Sequence, residues 1–266
     1  MALRLSNADC VHVWRMPLER THLEIAELAE TLSREELARA ATFRFAAERH
    51  TFIVAHALLR SILALYLGCS APEISFHRGS HGKPGLDNEG DLHFNLSHAD
   101  KVAMLGVALR EIGVDVERFR PDFAWKPIAH HFFSEVERRQ VESAPESMQP
   151  EAFFRCWTRR EAYAKACGLG IAIEIPAGII DDVLFDGAKR WSICSVPAYQ
   201  GYVAAFAAEG PRCTFQVFDW PSTVARAGIA DATGEKAIEM NGARVKKKTA
   251  SSGDSPCYPY SPSDFI

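Results

Sequence analysis

The stretch AAERHTFIVAHALLRSILALYLG at 46–68 repeats apolar residues at helical spacing along its whole length and closes on a glycine. A 3.6-residue period ending at Gly68 predicts one long amphipathic helix that must bury its apolar side against something else. Three short β-favouring segments follow, at 73–77, 92–96 and 102–109, the first two separated by the turn-rich loop GSHGKPGLDNEGD. Then the order returns. A strand is expected at 113–117, helices through about residue 167, and strands near 179–185, 191–196, 202–208 and 215–220. GYVAAFAAE in the second half weakly echoes KVAMLGVAL in the first. Ahead of the long helix, VHVWRM at 11–16 alternates as a strand. Residues 23–41 read as helical, with a capping-box pattern, SREEL, interrupting them at Ser33. Helices followed by antiparallel-type strands, twice, predict an α+β fold of two similar α/β subdomains in pseudo-twofold arrangement. Their expected bounds are 1–111 and 112–222, and a seam near 110–113 is a favoured place for a site. Beyond Ser222 the chain becomes polar, Pro/Ser-rich and aperiodic, so 223–266 is expected to be a disordered tail.

A chain of 266 residues has ample material for a core. Its net charge of −4 excludes a global basic field for nucleic acid, so any phosphate site has to be built locally. The seven cysteines are odd in number and include no Cys-x-x-Cys, which argues against a zinc framework and for reduced thiols. No signal-type run opens the chain, and no 18-residue segment reads as a membrane span. The expectation is a soluble cytoplasmic monomer, engaging neither membrane nor nucleic acid.

Four short stretches carry chemistry. In IGVDVERF, 112–119, Asp115 and Glu117 are spaced i, i+2 on a strand and face the same way, roughly 6.5–7 Å apart. Like charges so placed make each other costlier to ionise. A solvated edge strand, an acid/base pair, or a divalent cation held by oxygens would each accommodate them. In FRCWTRREAYAKACGLG, 154–170, a helix puts Trp157, Glu161 and Lys165 on one side. A Glu–Lys pair at i, i+4 is ordinarily surface decoration. Here an aromatic stands above it, and Gly168 and Gly170 end the helix just below. LHFNLSHAD, 92–100, makes a strand that delivers Ser97 and His98 into a turn. Strand neighbours face opposite ways, so these two form no nucleophile–base pair, but phosphate donors need no such alignment. Finally, GKPG at 82–85 holds Lys83 in a turn stiffened by Pro84.

Taken in order, GKP (82–84), FNLSH (94–98), GVDVE (113–117) and W-T-x-x-E-A-Y-x-K-A-x-G-x-G (157–170) resemble the signature of the 4'-phosphopantetheinyl transferases of the surfactin-synthetase-activating type. The resemblance runs from about Val11 to about Trp220. It implies Mg²⁺-dependent transfer of phosphopantetheine from coenzyme A to a serine of an apo acyl, peptidyl or aryl carrier protein, releasing adenosine 3',5'-bisphosphate. It assigns Asp115, Glu117 and Glu161 to the metal. Glu161 is also the base for the serine, directly or through a metal-bound water, and Lys165 stabilises the α-phosphate. Lys83, Ser97 and His98 match positions on the coenzyme's phosphates, in particular the 3'-phosphate, and Arg49 falls where the family carries a basic coenzyme-binding residue. One departure is Arg160, commonly lysine in the family. Two rivals stay open: a homologue that binds coenzyme A or a carrier without transfer, and a Mg²⁺-dependent nucleotide pyrophosphatase.

Overall fold

The chain builds one unit twice: a strand, then helices, then a hairpin whose second strand returns to pair antiparallel with the first. In the first half these are β1 (Cys10–Pro17), helices α1 (His22–Ala29), α2 (Arg34–Thr42) and α3 (Ala46–Leu67), and the hairpin β4 (His93–Ala99) and β5 (Val102–Ala108). A small hairpin of β2 (Phe76–Arg78) and β3 (Pro84–Leu86) is inserted before β4. In the second half they are β6 (Ile112–Arg118), α4 (Trp125–Phe132), α5 (Glu135–Ser143) and α6 (Gln149–Cys167), then β7 (Val183–Asp186), β8 (Lys189–Val196) and β9 (Tyr202–Glu209). The order β1-β5-β4 in one sheet thus corresponds to β6-β9-β8 in the other. The computed structural model describes residues 3–79, 81–87, 90–168, 175–176, 179, 181–210, 213–221, 238–240, 243–245 and 247–251, the last three segments by their backbone.

Alternation along the strands sorts the core into three layers of side chains. Trp14, Met16, Leu105 and Phe218 pack with Val54, Leu58, Ile62 and Leu63 of α3. From the opposite faces, Val13, Met104 and Val217 of the first sheet meet Val114, Val116 and Phe206 of the second. The outer face of the second sheet, with Trp191, Ile193, Ala205 and Ala207, packs under Phe153, Ala162, Tyr163 and Ala166 of α6. The layers therefore run α3, first sheet, second sheet, α6. β5 is covered on both faces and buries all seven of its residues, VAMLGVA.

Several sequence expectations need correction. The helix α3 is long and apolar enough to cross a membrane by length and composition, contrary to the expectation that no such segment exists. It is a core helix instead, and it carries a buried cation. Arg60 donates through Nε to Glu36 Oε2 at 2.6 Å and through Nη1 to the carbonyls of Ala71 and Ile74, both at 2.9 Å. The segment expected as a strand at 73–77 splits into a 3₁₀ turn, Ala71–Glu73, capped by Ser70, and the later strand β2. A further strand, β10 (Thr214–Asp219), does not stay with the second half; it pairs parallel with β1 in the first sheet. The 112–222 boundary therefore cuts across a shared sheet. Part of the expected tail is also ordered as strand. Ile238–Met240 (β11) pairs with Ala243–Val245 (β12), and Lys247–Ser251 (β13) pairs antiparallel with β10. The free edge of β10 offers backbone donors and acceptors that composition does not reveal. Gly170 and much of 169–180 lie outside the described residues.

α6 crosses β6 at Gly113 with no room for a side chain. A Cβ built there would stand 2.1 Å from the Ala162 carbonyl oxygen and 2.3 Å from Ala166 N, both helix backbone. At Gly106 the clash would be with movable side chains, Val114 Cγ1 at 2.6 Å and Ile112 Cδ1 at 2.7 Å. Overpacking usually costs about 1–3 kcal/mol. Gly113→Ala is expected at or above the top of that range and Gly106→Ala near its foot, measured by urea denaturation. Equal penalties would show that α6 can shift freely.

Candidate active site

The close crossing at Gly113 fixes what stands next along β6. Val114 and Val116 turn into the core between the sheets, so Asp115 and Glu117 take the same face as Gly113, toward α6. Helix and strand run in opposite senses, which brings Trp157 to Glu117 and Lys165 to Asp115. Gly168 ends the helix in the left-handed conformation at φ 68°, its N–H on the Lys165 carbonyl, within a turn of that lysine.

Asp115 is 3% exposed. Its Oδ1 accepts from Lys165 Nζ at 2.5 Å and from Ser97 Oγ at 3.0 Å, and Lys165 Nζ also donates to Ser97 Oγ at 2.9 Å. Asp115 Oδ2 is buried and accepts no hydrogen bond from the described residues. Burial first, then the Asp115 charge, pushes the carboxyls of Glu117 and Glu161 above the ordinary carboxylate range. Lys165 and the Trp157 indole partly offset the shift at Glu117, and Lys165 and Arg160 that at Glu161. Three acids thus crowd one lysine. Among the described residues, no three His, Cys, Asp or Glu side chains are already gathered as a metal cluster.

β4 supplies the other wall. β4 and β6 are edge strands of different sheets, and side chains join them in place of a ladder. Asn95 Oδ1 accepts from the Val114 N–H at 2.9 Å, and Ser97 reaches Asp115 two residues later from the same face of β4. His98, on the other face, is partly open to solvent. Partial desolvation, then the Lys165 charge and the neighbouring His56, hold its imidazole below the usual histidine value. His56 stacks on Phe52 and bonds Glu36, placing this face of α3 beside His98.

The site residues expected from sequence do not all converge. Ser97, Asp115, Glu117, Glu161 and Lys165 do, with His98 at their border. Arg49 stays local on the first turn of α3, its Nη2 on the Phe43 carbonyl at 3.4 Å, seven residues before His56. Lys83 lies at the far end of β4 from His98. Its Nζ bonds Glu111 Oε2 at 2.6 Å, and Glu111 Oε1 meets His93 Nδ1 at 3.3 Å. His93 and His98 are separated by about 16 Å of strand, so the expectation of one phosphate shared by Lys83 and His98 does not fit this arrangement. Arg160 turns away from the acids, its Nη1 on both Glu137 oxygens at 2.8 and 2.9 Å, anchoring α5 to α6. Asn95 and Glu111 were not singled out from sequence. Asn95 had a signal, since it shares Ser97's parity on the strand; Glu111, in the link between β5 and β6, had none.

Residues 17–109 match the family model "4'-phosphopantetheinyl transferase, N-terminal", and residues 111–209 match that of the 4'-phosphopantetheinyl transferase superfamily. The two matches divide at the β5–β6 junction. The 4'-phosphopantetheinyl transferase HetI of Nostoc sp. is 39% identical over 211 residues, spanning 76% of this chain and 89% of that protein. The 4'-phosphopantetheinyl transferase gsp of Aneurinibacillus migulanus is 30% identical over 154 residues, 58% of this chain and 63% of its own. The 4'-phosphopantetheinyl transferase Sfp of Bacillus subtilis is 24% identical over 188 residues, 68% and 83% respectively.

The raised Glu161 carboxyl carries a stability consequence. A carboxyl whose folded-state pKa exceeds its unfolded value favours the folded state below the unfolded value and loses that contribution as pH rises through the folded one. Replacing it with a neutral amide removes the loss. Glu161→Gln is therefore expected to melt at or above wild type at pH 7, with the difference vanishing toward pH 4. A lower midpoint at pH 7 would mean that the Glu161 charge is satisfied in the free protein. The paired halves, the acids of β6 opposite α6 and the matches over both halves together place this chain in the 4'-phosphopantetheinyl transferase superfamily of enzymes.

Proposed function

We propose that the protein transfers the 4'-phosphopantetheine group of coenzyme A to a serine hydroxyl of an apo carrier protein, with Mg²⁺, releasing adenosine 3',5'-bisphosphate. The observation that carries this reading is Asp115. It is a buried carboxylate with one oxygen tied to Lys165 and Ser97 and the other without a hydrogen bond from the described residues, flanked by two acids whose carboxyls are raised above the ordinary range. An orphaned buried acceptor beside crowded carboxylates suits a hard divalent cation. Mg²⁺ usually keeps several water and substrate-phosphate ligands, so a preformed protein cage is not required. Asp115, Glu117 and Glu161 would hold it, and its charge would offset that developing on the pyrophosphate, worth several kcal/mol.

The chain's own groups divide the remaining work. Lys165, on the last turn of α6, stabilises negative charge on the oxygens of the phosphate being attacked. Ser97, already donating to Asp115, fixes the carboxylate's orientation and can turn its hydroxyl to a phosphate oxygen. Glu161 is the group to take the serine proton. It would act directly or through a metal-bound water, a contribution of about 10²–10⁴-fold. His98, at the border of the acids and near His56 of α3, is the group suited to the 3'-phosphate.

Mass spectrometry of several apo carrier proteins incubated with coenzyme A and Mg²⁺ tests the reading. The expected result is a mass gain of one phosphopantetheine on a serine, lost in Glu161→Gln and Asp115→Asn. Adenosine 3',5'-bisphosphate released without a carrier would instead identify a pyrophosphatase, and coenzyme binding without any product would identify a binding homologue. A second expectation concerns His98. Its imidazole must be protonated to attract phosphate, and the free site disfavours that form. His98→Ala should therefore raise the coenzyme KM several-fold at pH 6 and much less at pH 8. A penalty independent of pH would remove the histidine cation from the binding set.

A further inference from the structure

The Lys83 ammonium is occupied where two halves of the molecule meet. It donates to Glu111 Oε2 at 2.6 Å and to the Ala166 carbonyl at 2.8 Å. Ala166 belongs to the last turn of α6, whose final carbonyls have no partner within the helix and whose dipole favours a cation. The lysine stem follows the helix end as well. A Cβ built on Gly168 would stand 3.4 Å from Lys83 Cδ. Glu111 is itself held by His93 Nδ1 at 3.3 Å, and these two partners keep its carboxyl near a pKa of about 2, so it carries a full charge at neutral pH. The contact joins three places: the turn before β3, the link between β5 and β6, and the C-terminus of α6.

We infer that Glu111 is a positioning residue for the transfer, holding the Lys83 ammonium across the seam onto the end of α6 so that Glu161 and Lys165 stay seated over β6. The inference rests on the transferase reading. It assigns Lys83 to clamping the halves together and leaves coenzyme phosphates to the opposite end of β4. A loosened helix end would disturb the catalytic side chains first. Misplacement of reacting groups lowers turnover, whereas loss of a 3'-phosphate contact weakens binding of the one coenzyme that has that phosphate.

The experiment compares kcat and KM for coenzyme A and for 3'-dephospho-coenzyme A, with an apo carrier protein as acceptor. The variants are Lys83→Met, Glu111→Gln, their double, and Lys83→Arg; Lys83→Met keeps an unbranched packing stem and removes the ammonium with its two hydrogen bonds. Hydrogen exchange of the amides at 164–168 is followed in each variant. Lys83→Met is expected to lower kcat about tenfold with either coenzyme, a loss in keeping with one charged hydrogen bond. The ratio of the two KM values should not move, and the double variant should be no worse than Lys83→Met alone. Lys83→Arg should restore most of the turnover, and exchange at 164–168 should quicken in Lys83→Met and Glu111→Gln. A KM increase confined to coenzyme A would overturn the inference by making Lys83 a phosphate ligand. Strictly additive losses in the double variant, or unchanged exchange at the helix end, would overturn it equally. If the wild type transfers nothing from either coenzyme, the transferase reading fails separately, and the exchange data alone decide whether the clamp exists.

Discussion

The contact of α6 backbone on Gly113 sets the geometry on which the rest of the site depends. A strand and a helix ordinarily stand a side chain apart. Here the strand offers no side chain, and the helix answers with Ala162 and Ala166, while β9 lays Ala205 and Ala207 under the same helix. This run of small residues draws the helix down onto the sheet. Asp115, one pleat further on, then meets Lys165 directly without reaching for it. Glu117 comes under Trp157 by the same antiparallel progression. The spacing between the acids and the lysine is thus a packing distance, fixed by small residues of 0–2% exposure in the core and not by loop conformation.

The second constraint is that the halves meet without a shared ladder at this point. β4 and β6 are both sheet edges, and edges invite pairing. Polar side chains take over the role of a partner strand, Asn95 capping the Val114 amide and Ser97 the Asp115 carboxylate. Other ties hold the seam elsewhere. Arg15 grips Asp219 through Nε and Nη2, both at 2.7 Å, and lies over the Tyr199 ring, linking β1 and β10 to the turn before β9. A seam held by side chains can admit an extended ligand along it, which a continuous hydrogen-bonded sheet could not. It remains buried enough to make the acids costly to ionise.

What could be read from sequence was what local chemistry dictates. Helical period and a terminal glycine gave α3 and α6. The Ser33–Glu36 pattern gave the start of α2, because cap and period are both encoded within a few residues. The i, i+2 spacing placed Asp115 and Glu117 on one face correctly. Long-range pairing was not legible. Nothing in TFQVFD says that it will lie parallel to β1, and nothing composition-based foresaw Lys247–Ser251 completing that edge. The same limit applied to side chains. Lys83 reads as a free cation in a turn, and only the fold brings Glu111 and the α6 carbonyls to it.

The electrostatics of the site show why these geometric constraints matter together. Burial would normally expel an unpaired carboxylate or pair it fully. This fold does neither: Lys165 is shared among three acids, one Asp115 oxygen accepts no hydrogen bond from the described residues, and Glu117 and Glu161 are driven toward protonation. Lys165 is committed to Asp115 and Ser97, and Arg160, whose charge also acts on Glu161, is paired with Glu137. Asp115 has the least room to relax, being 3% exposed with the core of Val114 and Val116 behind it. The packing therefore holds an electrostatic deficit in place. A divalent cation would discharge it and still take phosphate oxygens, which is the preorganisation that the proposed transfer requires.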